Sequence, residues 1–313
     1  MIVLVLPLHL FGAFCILRKT PSSMSSVKWT VLNLHFWNTV VDSLLNVFVV
    51  PCPLFPTVSG FLLGLLTVFG VRPTVQAWLL TIALSFTCVS TTMIFENRFY
   101  LLIAKNTRWN VIRPFWILVN FSFCFVYPVP TILQLPDQNV AREYVLNALP
   151  CVPEFLNDTE IIVPTLDDDV FIYSALGFSF VVFGQLVTFT AIIIVQLSSN
   201  FGANVLSANT RRLQKNLLKA LILQTGIPFV YLLLPVAYAV FAIYTDFFDR
   251  AVNNMIVVVT SLHGFVSTSS MILIHNPYRK TVLSLFEKKK PQVTVQNFPI
   301  FSRNTVLDVS SAS

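Results

Sequence analysis

"TVQAWLLTIALSFTCVSTTMIFENRFYLLIAKNTRW", residues 74–109, decides the fold. Its first part is an apolar to weakly polar run of about twenty residues, enough for one helix to cross a hydrocarbon core. The run meets Glu96, Asn97 and Arg98, then aromatic residues, then a scatter of bases. It is far too long, and too little alternating, for a barrel strand of roughly ten residues. Inside lipid every backbone amide must be satisfied within the protein, which leaves helices and closed barrels. The sequence therefore reads as an all-α membrane protein.

Composition agrees over all 313 residues. Hydrophobic residues make up 55% and charged ones only 11%, and the mean hydropathy is +0.75. Soluble domains carry about 25% charged residues. Seven candidate spans follow at about 1–17, 30–50, 74–95, 114–134, 171–197, 220–244 and 254–275. The first has no basic residue before its apolar core, so it reads as a span rather than a cleaved leader.

Orientation comes from Lys and Arg in the short loops. Arg18, Lys19, Lys28, Arg98, Lys105, Arg108, Arg113, Arg211, Arg212, Lys215, Lys219, Arg279, Lys280, Lys288, Lys289, Lys290 and Arg303 fall on one side. Arg72, Arg142 and Arg250 fall on the other. Seventeen against three puts the N-terminus outside and the C-terminus in the cytoplasm. The acids of the 135–170 loop lie on the outer side, with the sequon at Asn157, a glycosylation candidate.

Asp42 is the only acid deep within a predicted span, and intramembrane carboxylates are functional candidates. Asn38 and Asn46, four positions away, are its natural hydrogen-bond partners. Pro228 and Pro235 interrupt the sixth span. Cys52 and Cys151 both reach the outer side and are candidates for a disulfide. Tyr278, Val282, Leu285 and Phe286 give one apolar face to a short amphipathic helix over 278–287, and residues 288–313 read as a disordered cytoplasmic tail. The outer halves of the spans offer an aromatic, largely neutral ligand pocket: Gln76, Trp78, Phe171, Tyr173, Tyr238, Phe241 and His263. Such a lining suits a small uncharged or amphipathic ligand.

Several stretches together resemble the nematode serpentine receptors of class H (Srh). They are "FGAFCILRKTPSSMSSVKWTVLNLHFWNTVVD" (11–42), "LLGLLTVFGV" (62–71), "FENRF" (95–99), "LPCVPE" (149–154) and "ILIHNPYRKTV" (272–282). The resemblance runs to about residue 285, making 1–285 one seven-transmembrane domain, rhodopsin-like in outline. Family members usually have more sequence before the first helix, so the start here is expected to be short. The resemblance implies a chemosensory G-protein-coupled receptor in the plasma membrane or a sensory cilium. Its implied partners are a heterotrimeric G protein, a small-molecule ligand and membrane lipid.

Glu96 and Arg98 then stand where rhodopsin-like receptors carry Asp/Glu-Arg-Tyr, the G-protein switch, although Asn97 separates them and Phe99 replaces the tyrosine. Residues two apart on a helix do not share a face, which argues against a lock between them. Asp42 resembles the second-helix Asp of those receptors. Pro277, Tyr278 and Arg279 resemble the family's His-x-Pro-Tyr-Arg ending of the seventh helix, which the resemblance adds to the G-protein switch, and Pro277 is expected to bend the chain there. No HExxH, GxSxG or P-loop spacing occurs, and no CxxC or Cys/His pairing, so no enzyme, metal, cofactor or nucleic-acid role is expected. A polytopic transporter or ligand-gated channel is the alternative; it predicts repeated halves or several mid-membrane charges.

Overall fold

The computed structural model describes residues 2–21, 24–149, 156, 159–198 and 207–286. Helix α1 (Ile2–Lys19) is followed by α2 (Ser25–Ser43), which passes into a π-helical turn over Leu44–Phe48. After a short helix α3 (Leu65–Val68) comes α4 (Pro73–Phe99), which continues through a second π turn to Ala104. Then follow α5 (Trp109–Val126), α6 (Val129–Leu133), α7 (Gln138–Ala148) and α8 (Asp168–Ser198). The chain closes with α9 (Ala208–Thr245), α10 (Arg250–Ser261), α11 (His263–Ile274) and α12 (Asn276–Phe286).

Among the described residues five helices are long and apolar enough to cross a membrane: Pro73–Ala104, Trp109–Leu133, Asp168–Ser198, Ala208–Thr245 and Arg250–Ile274. Helix α2 is less apolar because Asn33, His35, Asn38 and Asp42 interrupt it, with Asn46 following in its π turn. Packing runs α1 on α2 and α11, α2 on α4, α4 on α5 and α8, and α9 on α11, with α12 folding back on α1. The main core cluster draws Ile16, Val31, Phe95, Ile193, Leu221 and Met271 from these helices.

The two ends of the bundle differ. At one end, the side rich in basic loop residues, Thr20 bonds Tyr278 and Asn97 bonds the Ser26 carbonyl. The opposite end carries an antiparallel sheet of β1 (Pro51–Pro53), β2 (Gly60–Leu62) and β3 (Ile161–Ile162) in that order. Helix α7 packs on this sheet through Ala141 and Val145, joined by Leu149 at its C-cap.

Several sequence expectations are corrected. The chain is not purely α-helical: the sheet was missed because its strands are only two or three residues long, and β1 begins and ends on proline. Helix α7 was missed because it lies in a loop, although Asp137 caps it by accepting from the Asn139 amide at 2.9 Å. The third span does not end near residue 95; it runs about two turns further, because Glu96 and Arg98 are buried in protein rather than at an interface. Helix α9 begins about three turns before its apolar run, capped by Ser207. At 38 residues it is about 57 Å long, well beyond the hydrocarbon core. Both Pro228 and Pro235 sit inside the continuous α9. The stretch expected as the seventh span is two helices meeting at Leu262.

Candidate functional site: two buried polar centres

The first centre is at the basic end. Glu96, Asn97 and Arg98 are successive, and steps of about 100° per residue turn them in different directions, although Glu96 and Asn97 share Arg113. Glu96 is fully buried. Its partner comes from α5. Arg113 Nε donates to Glu96 Oε1 at 2.9 Å and Oε2 at 3.0 Å, and Nη2 donates to Oε2 at 3.0 Å. The same Nη2 lies 3.0 Å from Asn97 Oδ1. Trp109 Nε1 adds a donor to Glu96 Oε1 at 2.8 Å, and the Tyr100 ring lies 4.3 Å from the Arg113 guanidinium. The Asn97 amide nitrogen donates to the Ser26 carbonyl at 3.0 Å.

Arg98 is 4% exposed, and its Nε and Nη2 have no hydrogen-bond partner. It interacts electrostatically with His275, whose Nε2 donates to Gln224 Oε1 at 2.6 Å. His275 is extended, with ψ 112°, and α12 restarts at Asn276, so the bend expected at Pro277 falls at its N-terminal side. Tyr278 is buried at 2% exposure, with its hydroxyl 2.8 Å from Thr20 Oγ1. Desolvation raises its phenol pKa. Arg279 donates to Asn276 at 2.7 Å on the surface. Val282 packs against the core. The side chains of Leu285 and Phe286, and residues 288–313, lie outside the described residues.

The second centre surrounds Asp42, which is fully buried. His9 Nε2 is 3.3 Å from its Oδ2, and Asn46 Nδ2 donates to its Oδ1 at 3.1 Å. Thr268 Oγ1 lies 2.9 Å from His9 Nδ1. One tautomer fits both contacts: Nε2–H donates to Asp42 and Nδ1 accepts from Thr268. His35 Nε2 donates to the His9 carbonyl at 2.9 Å. Asn38 does not reach Asp42 but donates to Ser267 Oγ at 2.7 Å. Asn38 Oδ1 and His263 Nδ1 have no hydrogen-bond partner. All four histidines of the chain are buried. His9 and His35 escaped the sequence reading, yet a signal existed: His35, Asn38, Asp42 and Asn46 fall at i, i+3, i+7 and i+11, one polar stripe along α2.

The expected ligand pocket is not assembled as one site. Gln76 is fully buried, with Nε2 donating to the Val71 carbonyl at 2.7 Å and to Thr67 Oγ1 at 3.2 Å, so it pins the turn before α4. Trp78, Phe171, Tyr173 and Phe241 face outward at 39%, 38%, 65% and 52% exposure, where apolar rings suit lipid. Tyr238 donates to Asn253 Oδ1 at 2.6 Å. His263 is buried beside the Asp42 centre and interacts electrostatically with its carboxylate. A cavity of 260 Å³ opens instead at the sheet end, among Thr57, Tyr144, Val163, Thr165, Asp168 and Asp246. Cys52 sits in β1, half-buried, its thiol pKa raised by desolvation. Cys151 and Asn157, its expected disulfide partner and the expected glycosylation site, lie outside the described residues.

Gln76→Leu should lower the melting temperature through a loss of about 1–3 kcal/mol, because the carbonyl of half-buried Val71 and the Thr67 hydroxyl lose their partner. A thermal melt of the detergent-purified chain reads this out; an unchanged melt would mean that the turn holds without Gln76.

Apolar helices of spanning length around two buried polar centres define an integral, multi-pass membrane protein of the serpentine kind. The profile of the serpentine type 7TM GPCR chemoreceptor Srh family matches residues 1–288, and the chain belongs to that family. It is similar to serpentine receptor class H-72 of Caenorhabditis elegans, being 29% identical over 294 residues that cover 93% of this chain and 84% of that receptor. The resemblance read from residues 11–42 and the later signatures is borne out.

Proposed function

We propose that the chain is a seven-helix chemosensory receptor, N-terminus outside, which couples ligand binding to a heterotrimeric G protein at the plasma membrane. In this reading the spans are α1, α2, α4, α5 with α6, α8, α9, and α10 with α11; residues 288–313 form the cytoplasmic tail. The observation that carries it is Arg98: a guanidinium buried at the basic end with two nitrogens lacking acceptors. Guanidinium stays charged and offers five donors in a rigid fork. A buried donor without an acceptor is costly, so a partner presenting carbonyl or carboxylate oxygens at that end would relieve it. Ligand binding would act by favouring the bundle conformation in which Arg98 is accessible. The ligand is a small uncharged or amphipathic molecule, in keeping with the scarcity of charge in the outer halves of the spans.

Epitope tags at each terminus test the topology, and nucleotide exchange tests the coupling. In intact cells only the N-terminal tag should stain before permeabilisation. Membranes carrying the chain should accelerate GTPγS loading of at least one Gα class, and Arg98→Ala should return loading to the level of membranes without the chain. An exposed C-terminal tag would reverse the orientation and move the transporter or channel reading to the front.

A further inference from the structure

We propose that Arg113 is the standing counter-ion of Glu96, and that their clasp closes the 105–108 loop and fixes the inner end of α4 on α5 without involving Arg98. The inference stands on side-chain geometry and does not depend on G-protein coupling.

The hydrogen bonding around Glu96 supports the exclusion of Arg98. Glu96 Oε1 accepts from Trp109 Nε1 and Arg113 Nε, and Oε2 accepts from Arg113 Nε and Nη2. Three N–H groups thus fill most of the carboxylate's roughly four acceptor sites, and neither Nε nor Nη2 of the buried Arg98 is bonded to it. Arg98 lies two residues on, about 200° around the helix, and points away from α5. The planar fork of Arg113 is held on both sides, by Asn97 Oδ1 at 3.0 Å and by the Tyr100 ring at 4.3 Å. Forked, charge-assisted bonds of this length are the strong kind, and a cation over an aromatic face adds to them.

The consequence for the loop is geometric. Glu96 and Arg113 are 17 residues apart, and the segment between them contains the π turn Tyr100–Ala104 and the exposed Lys105, Asn106, Thr107 and Arg108. Trp109, the first residue of α5, donates to the same carboxylate. The clasp therefore ties both ends of the loop to one buried oxygen pair. Substituting lysine would keep the charge but lose the fork, since ammonium is a point charge.

Two double-mutant cycles on the full chain in detergent test this, with unfolding followed by alkylation of the buried Cys15 and Cys124 thiols. Glu96→Gln and Arg113→Gln should each lower the melting temperature. The double substitution should cost little more than either single, a coupling of about tenfold or more in the unfolding equilibrium. Arg113→Lys should fall between wild type and Arg113→Gln and serves as the folded variant if the glutamine forms do not accumulate. The second cycle, Glu96→Gln with Arg98→Gln, should be additive. As a readout that general destabilisation would not move selectively, tryptic cleavage after Lys105 and Arg108 should rise about tenfold in Arg113→Gln relative to cleavage after Arg279. Additivity of the Glu96/Arg113 pair, coupling of the Glu96/Arg98 pair, or unchanged relative cleavage at the loop would each overturn the assignment.

Discussion

Gly264→Ala should strip most of the receptor from the cell surface, whereas Gly184→Ala and Gly226→Ala should leave it as stable or slightly more so. The same methyl group is added in each case, but the surroundings differ. A Cβ built on Gly264 falls inside the van der Waals envelope of the Asp42 side chain, while nothing lies within 4 Å of one built on Gly184 or Gly226. Small residues let membrane helices approach at backbone distance, and here they bring α11 against the carboxylate of α2. Asp42 is fully buried and has no room to retreat, so α11 itself must shift. That shift would pull Ser267 from Asn38 at 2.7 Å and Thr268 from His9 at 2.9 Å. Overpacking of this kind costs about 3 kcal/mol. At the open positions, alanine in a helix is worth about 0.5–1 kcal/mol over glycine. Surface staining of an N-terminal tag, with a thermal melt of the solubilised chain, separates the outcomes. Equal behaviour of the three variants would mean that α2 and α11 are not in close contact.

What the sequence reveals follows from the range of each interaction. Long apolar runs announce membrane helices because lipid acts on every residue in them, and α4, α5, α8 and α9 were visible for that reason. Their ends were less visible. Hydropathy marks where lipid ends, not where hydrogen bonding ends, so the basic first turns of α9 around Arg211 and Lys215 disappeared into a loop. Glu96 made the opposite error, since a charge in sequence reads as an interface. Its burial depends on Arg113, a residue from another helix whose distance no local pattern reports. The same holds for Gln76. It was placed in a pocket by its depth along α4, but its amide is occupied by Val71 and Thr67, which precede the helix.

The Asp42 centre was half legible. The carboxylate stood out by its cost in a membrane, and the Asn46 contact follows from helical spacing. His9 arrives from α1 and Thr268 from α11, and only the packing of three helices brings them together. The aromatic residues chosen for a pocket show the converse. Phe is abundant throughout the chain, at 29 residues, so an aromatic ring near one end carried little information about which way it faces.

Asp42→Leu should be clearly destabilising while Asp42→Asn is nearly neutral. Leucine removes both acceptors from a site of zero exposure and strands His9 Nε2–H, while Asn46 Nδ2 keeps the backbone carbonyls of Asp42 and Ser261. That stranded buried donor costs about 1–3 kcal/mol. Asparagine keeps the shape and one acceptor, which Asn46 can still use. Its amide then needs an acceptor where the carboxylate accepted a hydrogen bond from His9. Imidazole supplies one by exchanging tautomers: His9 Nε2 accepts from the new side-chain amide, and Nδ1–H donates to Thr268 Oγ1, a hydroxyl able to serve either way. The 3.3 Å separation between His9 and Asp42 favours this outcome, because charge-assisted pairs close to about 2.7–2.9 Å. The melting temperatures of the two variants decide between hydrogen bonding and charge. If Asp42→Asn falls as far as Asp42→Leu, the centre requires an ionised carboxylate, and His9 would have to be its cation rather than a neutral donor.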